Sequence, residues 1–266
     1  MTHVCRTWRN CISSNPLSWT YMGCDNAHKT GTYLERSKSC SINVSLTRNG
    51  RQRRLTPHDP FLQILTHAIT RLKSLSIAAP LQYINHITPL IPHPPPPLKV
   101  LKTHAHILVG CPTSLSGLLA GDLSSMYKLR LHNITTELPW RGMCNLTYFT
   151  LSFGREADRP ISISLRKLLN FLEGAPSLSK ILIAGVTPIS DSQDGRVVSL
   201  GSLGSIHLAG KVPFSPLLDH LLIPVAATLI ITVKEHLDPF IRECLPRSLG
   251  HLTHRGQQGI SSLIKF

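Results

Sequence analysis

A six-residue apolar pattern recurs along most of this chain, and it constrains the fold more than any other feature of the sequence. The pattern is close to Leu-x-x-Leu-x-Leu, and its copies start 20 to 32 residues apart. The seven copies are LKSLSI (72–77), LKVLKT (98–103), MYKLRL (126–131), LTYFTL (146–151), LSKILI (178–183), LGSIHL (203–208) and ATLIIT (227–232) or the hexad in the neighbouring frame. A motif that returns at such intervals indicates a chain built from repeated structural units.

The last apolar residues of each hexad lie two positions apart, so on a β-strand both side chains point to the same face of the sheet. No single repeat can bury such a pair alone, and stacking of neighbouring repeats is therefore expected to form one shared core. The pairs predicted to be buried are Leu75 and Ile77, Leu129 and Leu131, Phe149 and Leu151, Ile181 and Ile183, and Ile206 and Leu208.

Three segments between the hexads carry helix signals, each starting at a candidate N-cap: Asp59, Ser164 and Ser215. Their predicted apolar stripes are Leu62, Leu65 and Ile69; Leu165, Leu168, Leu169 and Leu172; and Leu217, Leu218, Leu221 and Leu222. Alternation of helix and short strand predicts the α/β class, with a leucine-rich-repeat-like solenoid of parallel strands and outer helices. An ordinary doubly wound α/β domain is the alternative.

Two segments interrupt the repeats. Arg48, Arg51, Arg53 and Arg54 surround an Asn-Gly turn signal, which predicts a solvated basic loop, with a nuclear-import or phosphate-binding patch as the alternative. The run IPHPPPPL (91–98) predicts a stiff connector between a helix and a strand, with a polyproline ligand as the alternative.

Catalytic and cofactor motifs are not found in the sequence, so we expect a protein that is not an enzyme and needs no cofactor. It has no G-x-S-x-G elbow, no Walker loop and no G-x-G-x-x-G. The pairs His104 with His106 and His251 with His254 have no nearby Cys or carboxylate to complete a ligand set, so we expect no metal site.

The formal net charge of +14 favours acidic partners. Nucleic acid is a weaker expectation, because no stretch combines basic residues with an aromatic platform. The seven cysteines include no pair with zinc-knuckle spacing, and the polar N-terminus is unlike a secretory signal. These features predict free thiols in the cytoplasm, the nucleus or both. The longest apolar stretch, 221–233, contains Pro224 and is too short to span a bilayer.

The first nineteen residues contain two of the three tryptophans in the stretch VCRTWRNCISSNPLSW. This stretch resembles the C-terminal half of an F-box, which typically ends in Val-Cys-Arg-x-Trp-Arg, a helical spacer, and Pro-Leu-x-Trp. The matching positions are Val4, Cys5, Arg6, Trp8, Arg9, Pro16, Leu17 and Trp19. Together with YLERSKSCSINVSL (33–46) and LLDHLLIP (217–224), they make the chain similar to fungal-type F-box proteins with degenerate leucine-rich repeats.

The resemblance implies a substrate receptor of an SCF-type cullin ubiquitin ligase, in which the F-box binds a Skp-type adaptor and the repeats bind the protein to be ubiquitinated. It divides the chain into an F-box remnant (1–22), a connecting segment with a basic loop (23–58) and a repeat domain (59–266). The Leu-Pro pair and first apolar helix of an F-box are not present, which indicates either a start placed too late or a truncated relative. The alternative is a protein-interaction scaffold without ubiquitin machinery, whose N-terminal helix only caps the solenoid.

Residues that alternate with the buried pairs are predicted to form the concave binding face of the solenoid. Twelve such positions include four Lys or Arg and no acidic residue, so an acidic or phosphorylated segment is the expected ligand. Basic residues kept only for solubility would give the same pattern. The candidate partner-binding residues are Lys102, Lys128, Arg130, Tyr148, Lys180 and His207.

Overall fold

The structure is a computed structural model, and it describes residues 5–48, 59–88, 98–106, 123–134, 142–154, 161–189, 195–210 and 214–233. Several sequence predictions lie outside these residues. They concern Val4, Arg51, Arg53, Arg54, most of the proline run, Cys111, Cys244, His251 and His254.

Thirteen strands are described. In chain order they are β1 (Tyr21–Gly23), β2 (Ile42–Thr47), β3 (Leu72–Pro80), β4 (Val100–His106), β5 (Lys128–His132), β6 (Tyr148–Ser152), β7 (Ile161–Ser164), β8 (Lys180–Ala184), β9 (Val186–Ile189), β10 (Val198–Ser199), β11 (Ser205–Gly210), β12 (Leu221–Leu222) and β13 (Thr228–Val233).

Nine of these strands form one open sheet in the order β1-β2-β3-β4-β5-β6-β8-β11-β13, and every pairing in it is parallel. The order in the sheet follows the order in the chain, so each new strand is added at the same side. Two smaller parallel pairs, β7 with β9 and β10 with β12, are formed by segments that connect strands of the large sheet. The fold is α/β, as predicted, and the sheet already starts at Tyr21, before the expected repeat domain.

Six α-helices are described: α1 (Arg6–Ser14), α2 (Ala27–Arg36), α3 (Pro60–Ala68), α4 (Leu81–Ile87), α5 (Leu165–Glu173) and α6 (Ser215–Leu218). Short 3₁₀ turns cover Pro16–Trp19 and Ile69–Arg71. Within the described ranges, none of the helices has the length and apolar character needed to cross a membrane.

The core follows the hexads. In the register of the sheet, Leu75 pairs with Leu101, Leu129 with Phe149, and Ile181 with Ile206, so equivalent hexad positions form continuous rows across the strands. All five predicted pairs are buried, which confirms their assignment to the inner face. Each row is a line of apolar side chains on the inner face of the sheet, as the spacing of the motif predicts.

The helix α5 confirms its predicted cap and stripe. The Ser164 hydroxyl accepts a hydrogen bond from the Lys167 backbone N–H at 3.1 Å, and Gly174 is the C-cap. The buried residues of the predicted stripe are Leu165, Leu168, Leu169 and Leu172.

The stripe predicted for α3 is wrong at Leu62 and Ile69. Its buried residues are Phe61, Ile64 and Ala68, while Leu62 and Ile69 are half-buried and the Leu65 side chain is outside the described set. The predicted cap is correct, because the Asp59 carboxylate accepts from the Phe61 N–H at 2.9 Å. This cap fixes the first turn so that Phe61 faces the core, and Ile64 and Ala68, three and seven positions further, share its face.

The third predicted helix is also shorter than expected. α6 ends at Leu218, and Leu221 and Leu222 instead form β12, which pairs with β10. Leu217, Leu218 and Leu221 are buried, whereas Leu222 is exposed. The pairing partner of β12 lies more than twenty residues earlier, so the local helix pattern gives no sign of it.

Arg48 is buried, and its assignment to a solvated loop was wrong. Its guanidinium pairs with the Asp59 carboxylate at 3.0 Å and donates to the carbonyl of Cys24 at 2.6 Å. The Tyr83 hydroxyl donates to the second oxygen of Asp59 at 3.0 Å. The network satisfies the buried charge and ties β2 to the helices α3 and α4.

Candidate functional site

The exposed face of the sheet brings five of the predicted partner-binding residues together. Lys128, Tyr148 and Lys180 are direct neighbours on β5, β6 and β8, and Lys102 is the neighbour of Arg130 on β4 and β5. Neighbouring parallel strands are about 4.8 Å apart, so these side chains form two adjoining rows. We call these five residues the basic face.

Tyr148 is the centre of the basic face. The Lys128 Nζ lies 4.6 Å from the centroid of the Tyr148 ring, the Arg130 Cζ lies 4.7 Å from it, and the Lys180 Nζ lies 5.7 Å from it. Arg130 also donates a hydrogen bond to the Tyr148 hydroxyl at 3.1 Å. Three cations therefore surround one aromatic ring, which orders them through cation–π attraction.

The charges of the basic face are not neutralised within the described part of the chain, where none of the four cations forms an ion pair. Burial and repulsion by Arg130 and Lys102 place the pKa of Lys128 below its ordinary value. Burial on its own raises the pKa of Tyr148, but hydrogen bonds to its hydroxyl and the charges of Arg130 and Lys180 outweigh this effect and lower that pKa. The crowding of like charges favours binding of an anion.

His207 does not join the basic face. It lies on β11, two strands beyond Tyr148, where it pairs with Leu182 on one side and Ile230 on the other. Its Nε2 is 3.0 Å from the Thr232 hydroxyl. Burial and the charge of Lys180 lower the pKa of His207, so this ring is a neutral hydrogen-bonding group near neutral pH.

A cluster of three histidines adjoins the basic face, and one of them, His132, belongs to no motif predicted from the sequence. The ring centroids of His104 and His132 are 4.2 Å apart, and those of His104 and His106 are 4.9 Å apart. His104 and His132 each follow their hexad directly, so extending the hexad alignment by one position would have found this neighbour pair. Among the described residues, no group of three His, Cys, Asp or Glu side chains has a metal-binding arrangement. We call these three residues the imidazole cluster.

The F-box-like residues form a second surface at the N-terminal end. Their helix, α1, contains no buried residue, and Trp8 and Leu17 are 67% and 66% exposed. Ile12 lies on the same helix and is also exposed. Of the other motif residues, Cys5, Arg6 and Arg9 are exposed and Pro16 and Trp19 are half-buried.

Trp19 differs from Trp8 because it packs inward against α2. Its ring meets that of Tyr33 edge-on at 5.1 Å, and the Arg36 guanidinium lies 4.5 Å above it. The turn Pro16–Trp19 is fixed by the Asn15 side chain, which accepts from the Leu17 N–H at 3.1 Å. The motif thus has an anchored end at Trp19 and an exposed apolar end at Trp8.

The two surfaces have different chemistry. The basic face attracts anions, whereas the exposed residues of α1 and its turn suit an apolar groove on another protein. No family model, curated protein or solved structure matches this chain.

Proposed function

We propose that this protein is a substrate-receptor-like subunit of an SCF-type cullin ubiquitin ligase. Its N-terminal segment contacts a Skp-type adaptor through the F-box-like residues, and its sheet binds a target protein. In this proposal the large sheet is a leucine-rich-repeat-like solenoid. The strand order, which follows the chain, and the register that aligns equivalent positions of the first six hexads support this interpretation of the fold.

The observation that carries the proposal is the exposure of the apolar residues on α1 and the turn after it. A helix that caps a solenoid end buries its apolar face against the first repeat, but α1 buries no residue. Trp8 and Leu17 are large apolar side chains that remain in water. Exposed aromatic and aliphatic anchors of this kind are typical of protein-binding surfaces.

Arginine at both Trp8 and Leu17 is expected to weaken adaptor binding at least roughly tenfold, because the two changes remove the largest anchors of the surface. The experiment measures binding of the full chain to a purified Skp-type adaptor by calorimetry. Val225→Arg is the matched control, since Val225 is fully exposed at the far end of the sheet. Equal binding by the double variant, or no binding by the unchanged chain, would instead favour a protein-interaction scaffold without ubiquitin machinery.

For the target, we propose an acidic or phosphorylated segment bound to the basic face. Three of its four cations, Lys128, Arg130 and Lys180, surround Tyr148, and none of the four has an acidic partner among the described residues. Charge-assisted hydrogen bonds from several such donors to one anion are stronger than neutral hydrogen bonds.

Reversing the charges of Lys128 and Arg130 to Glu is expected to weaken binding of a labelled hexaglutamate peptide at least roughly tenfold at pH 7.5. Fluorescence anisotropy at physiological salt measures this change. The matched control carries Glu at Lys38 and Lys167, two exposed positions outside the basic face, and alters the net charge equally. Equal affinities of the two variants would contradict the proposal, as would tighter binding of a single-stranded oligonucleotide of the same charge.

A further inference from the structure

The imidazole cluster continues the basic face along the strands. His104 lies two residues after Lys102 on β4, and His132 lies two residues after Arg130 on β5, so each pair points to the same face of the sheet. Two residues of a strand span about 7 Å, so the cluster lies about that far from the permanent charges. Since His104 and His132 are paired in the register, the cluster adds a row parallel to the row of Lys102 and Arg130.

The surroundings of the cluster contain no negative charge within the described residues. β3 contributes Ala78 beside His104 and Pro80 beside His106, and β6 contributes Ser152 beside His132. The charged groups nearest along the same strands are Lys102 and Arg130, which are cations. None of the three imidazoles forms an ion pair with a described carboxylate.

One ring of the cluster has a fixed orientation. The Nδ1 of His132 is 2.7 Å from the Ser152 hydroxyl, which leaves its Nε2 for another partner. Burial, then repulsion by His132 and His106, lowers the pKa of His104, and burial, then repulsion by His106, lowers the pKa of His132, because a second positive charge in this crowded region is unfavourable without an anion. A bound anion would remove this penalty.

We propose that His104, His106 and His132 form a second anion-binding site that acts only when its imidazoles are protonated. The ligand that fits both sites is an extended segment with two anionic groups about 7 Å apart, one on the basic face and one on the imidazole cluster. Acidification therefore strengthens binding of this ligand. The inference rests on the proposed function only in taking the basic face as the first of the two sites.

The test uses two rhodamine-labelled peptides, one with a single sulfotyrosine and one with two sulfotyrosines separated by one residue. Sulfate esters keep their charge between pH 5.5 and 7.5, so only the protein titrates. The doubly sulfated peptide is expected to bind roughly threefold to tenfold more tightly at pH 5.5 than at pH 7.5, and the singly sulfated peptide to change less. In the variant with Asn at His104, His106 and His132, the pH dependence is expected to disappear while the affinity at pH 7.5 is retained.

The control variant is His28→Gln, which changes an exposed histidine on α2 and should leave the pH dependence intact. If the pH dependence survives in the variant with Asn at all three histidines, the imidazole site is wrong while the basic face stands. If the peptides bind normally to the variant with reversed charges at Lys128 and Arg130, the basic face is wrong. Failure of both peptides to bind the unchanged protein at either pH overturns both proposals.

Discussion

Replacing Arg48 with alanine is expected to destabilise the protein by about 3–5 kcal/mol, because it removes one partner of a buried ion pair and leaves the other charge without compensation. Arg48 and Asp59 are each only 6% exposed, and their charged atoms are 3.0 Å apart. Urea unfolding of the variant and the unchanged protein, followed by circular dichroism, measures the difference in the free energy of unfolding.

Tyr83 belongs to the same buried network and provides the control variant. In Tyr83→Phe only the hydroxyl that donates to Asp59 is lost, so a smaller destabilisation of about 1–2 kcal/mol is expected. This variant keeps the ion pair and remains measurable even if Arg48→Ala does not fold. An arginine in a solvated loop would change the free energy of unfolding by less than about 0.5 kcal/mol when replaced. A result of that size for Arg48→Ala would show that the buried network is wrong.

The burial of Arg48 could not be predicted from the sequence. Its neighbours in sequence are basic, and a run of like charges is usually solvated. Its partners are Asp59 and Tyr83, which are brought to it only when the helices α3 and α4 pack beside the sheet. No local pattern encodes that approach, so the sequence predicts a surface cation where the fold buries one.

The strands were predictable because their signal is local. Alternation within each hexad fixes which residues point inward, and the observed register aligns equivalent hexad positions. Lys128, Tyr148 and Lys180 all occupy the third position of their hexads, and for that reason the basic face could be predicted before its geometry was known. His207 occupies the fifth position of its own hexad, but the order of the strands places it too far from Tyr148.

The helical segments were less predictable, because the same leucines serve a helix or a short strand. Leu221 and Leu222 continue the apolar spacing of α6, yet they pair with β10. Pairing between distant segments thus overrides the local preference.

Gly185 lies where the chain leaves β8 and enters β9, and its replacement by alanine is expected to destabilise the protein by about 2–4 kcal/mol. Its φ of +68° is in the left-handed region, and an added Cβ would lie 2.7 Å from the carbonyl oxygen of Phe153. The backbone there is held on both sides, since the Gly185 N–H donates to Ala209 and its carbonyl accepts from Ile161. The turn has little freedom to move away from the clash.

Alanine at two other glycines separates the steric cost of the added Cβ from the cost of the left-handed backbone. Gly142 also has a positive φ, but the nearest atom to an added Cβ is 3.9 Å away, so Gly142→Ala is expected to cost only the backbone penalty of about 1–2 kcal/mol. Gly201 has nothing within 4 Å of an added Cβ, and Gly201→Ala should change the free energy of unfolding by less than about 0.5 kcal/mol. Thermal and urea unfolding of the three variants give the comparison. Only a rigid contact of Gly185 with Phe153 adds a steric cost to the cost of the left-handed backbone. If Gly185→Ala lowers the free energy of unfolding no more than Gly142→Ala does, the chain between the large sheet and the β7–β9 pair is therefore not held against Phe153.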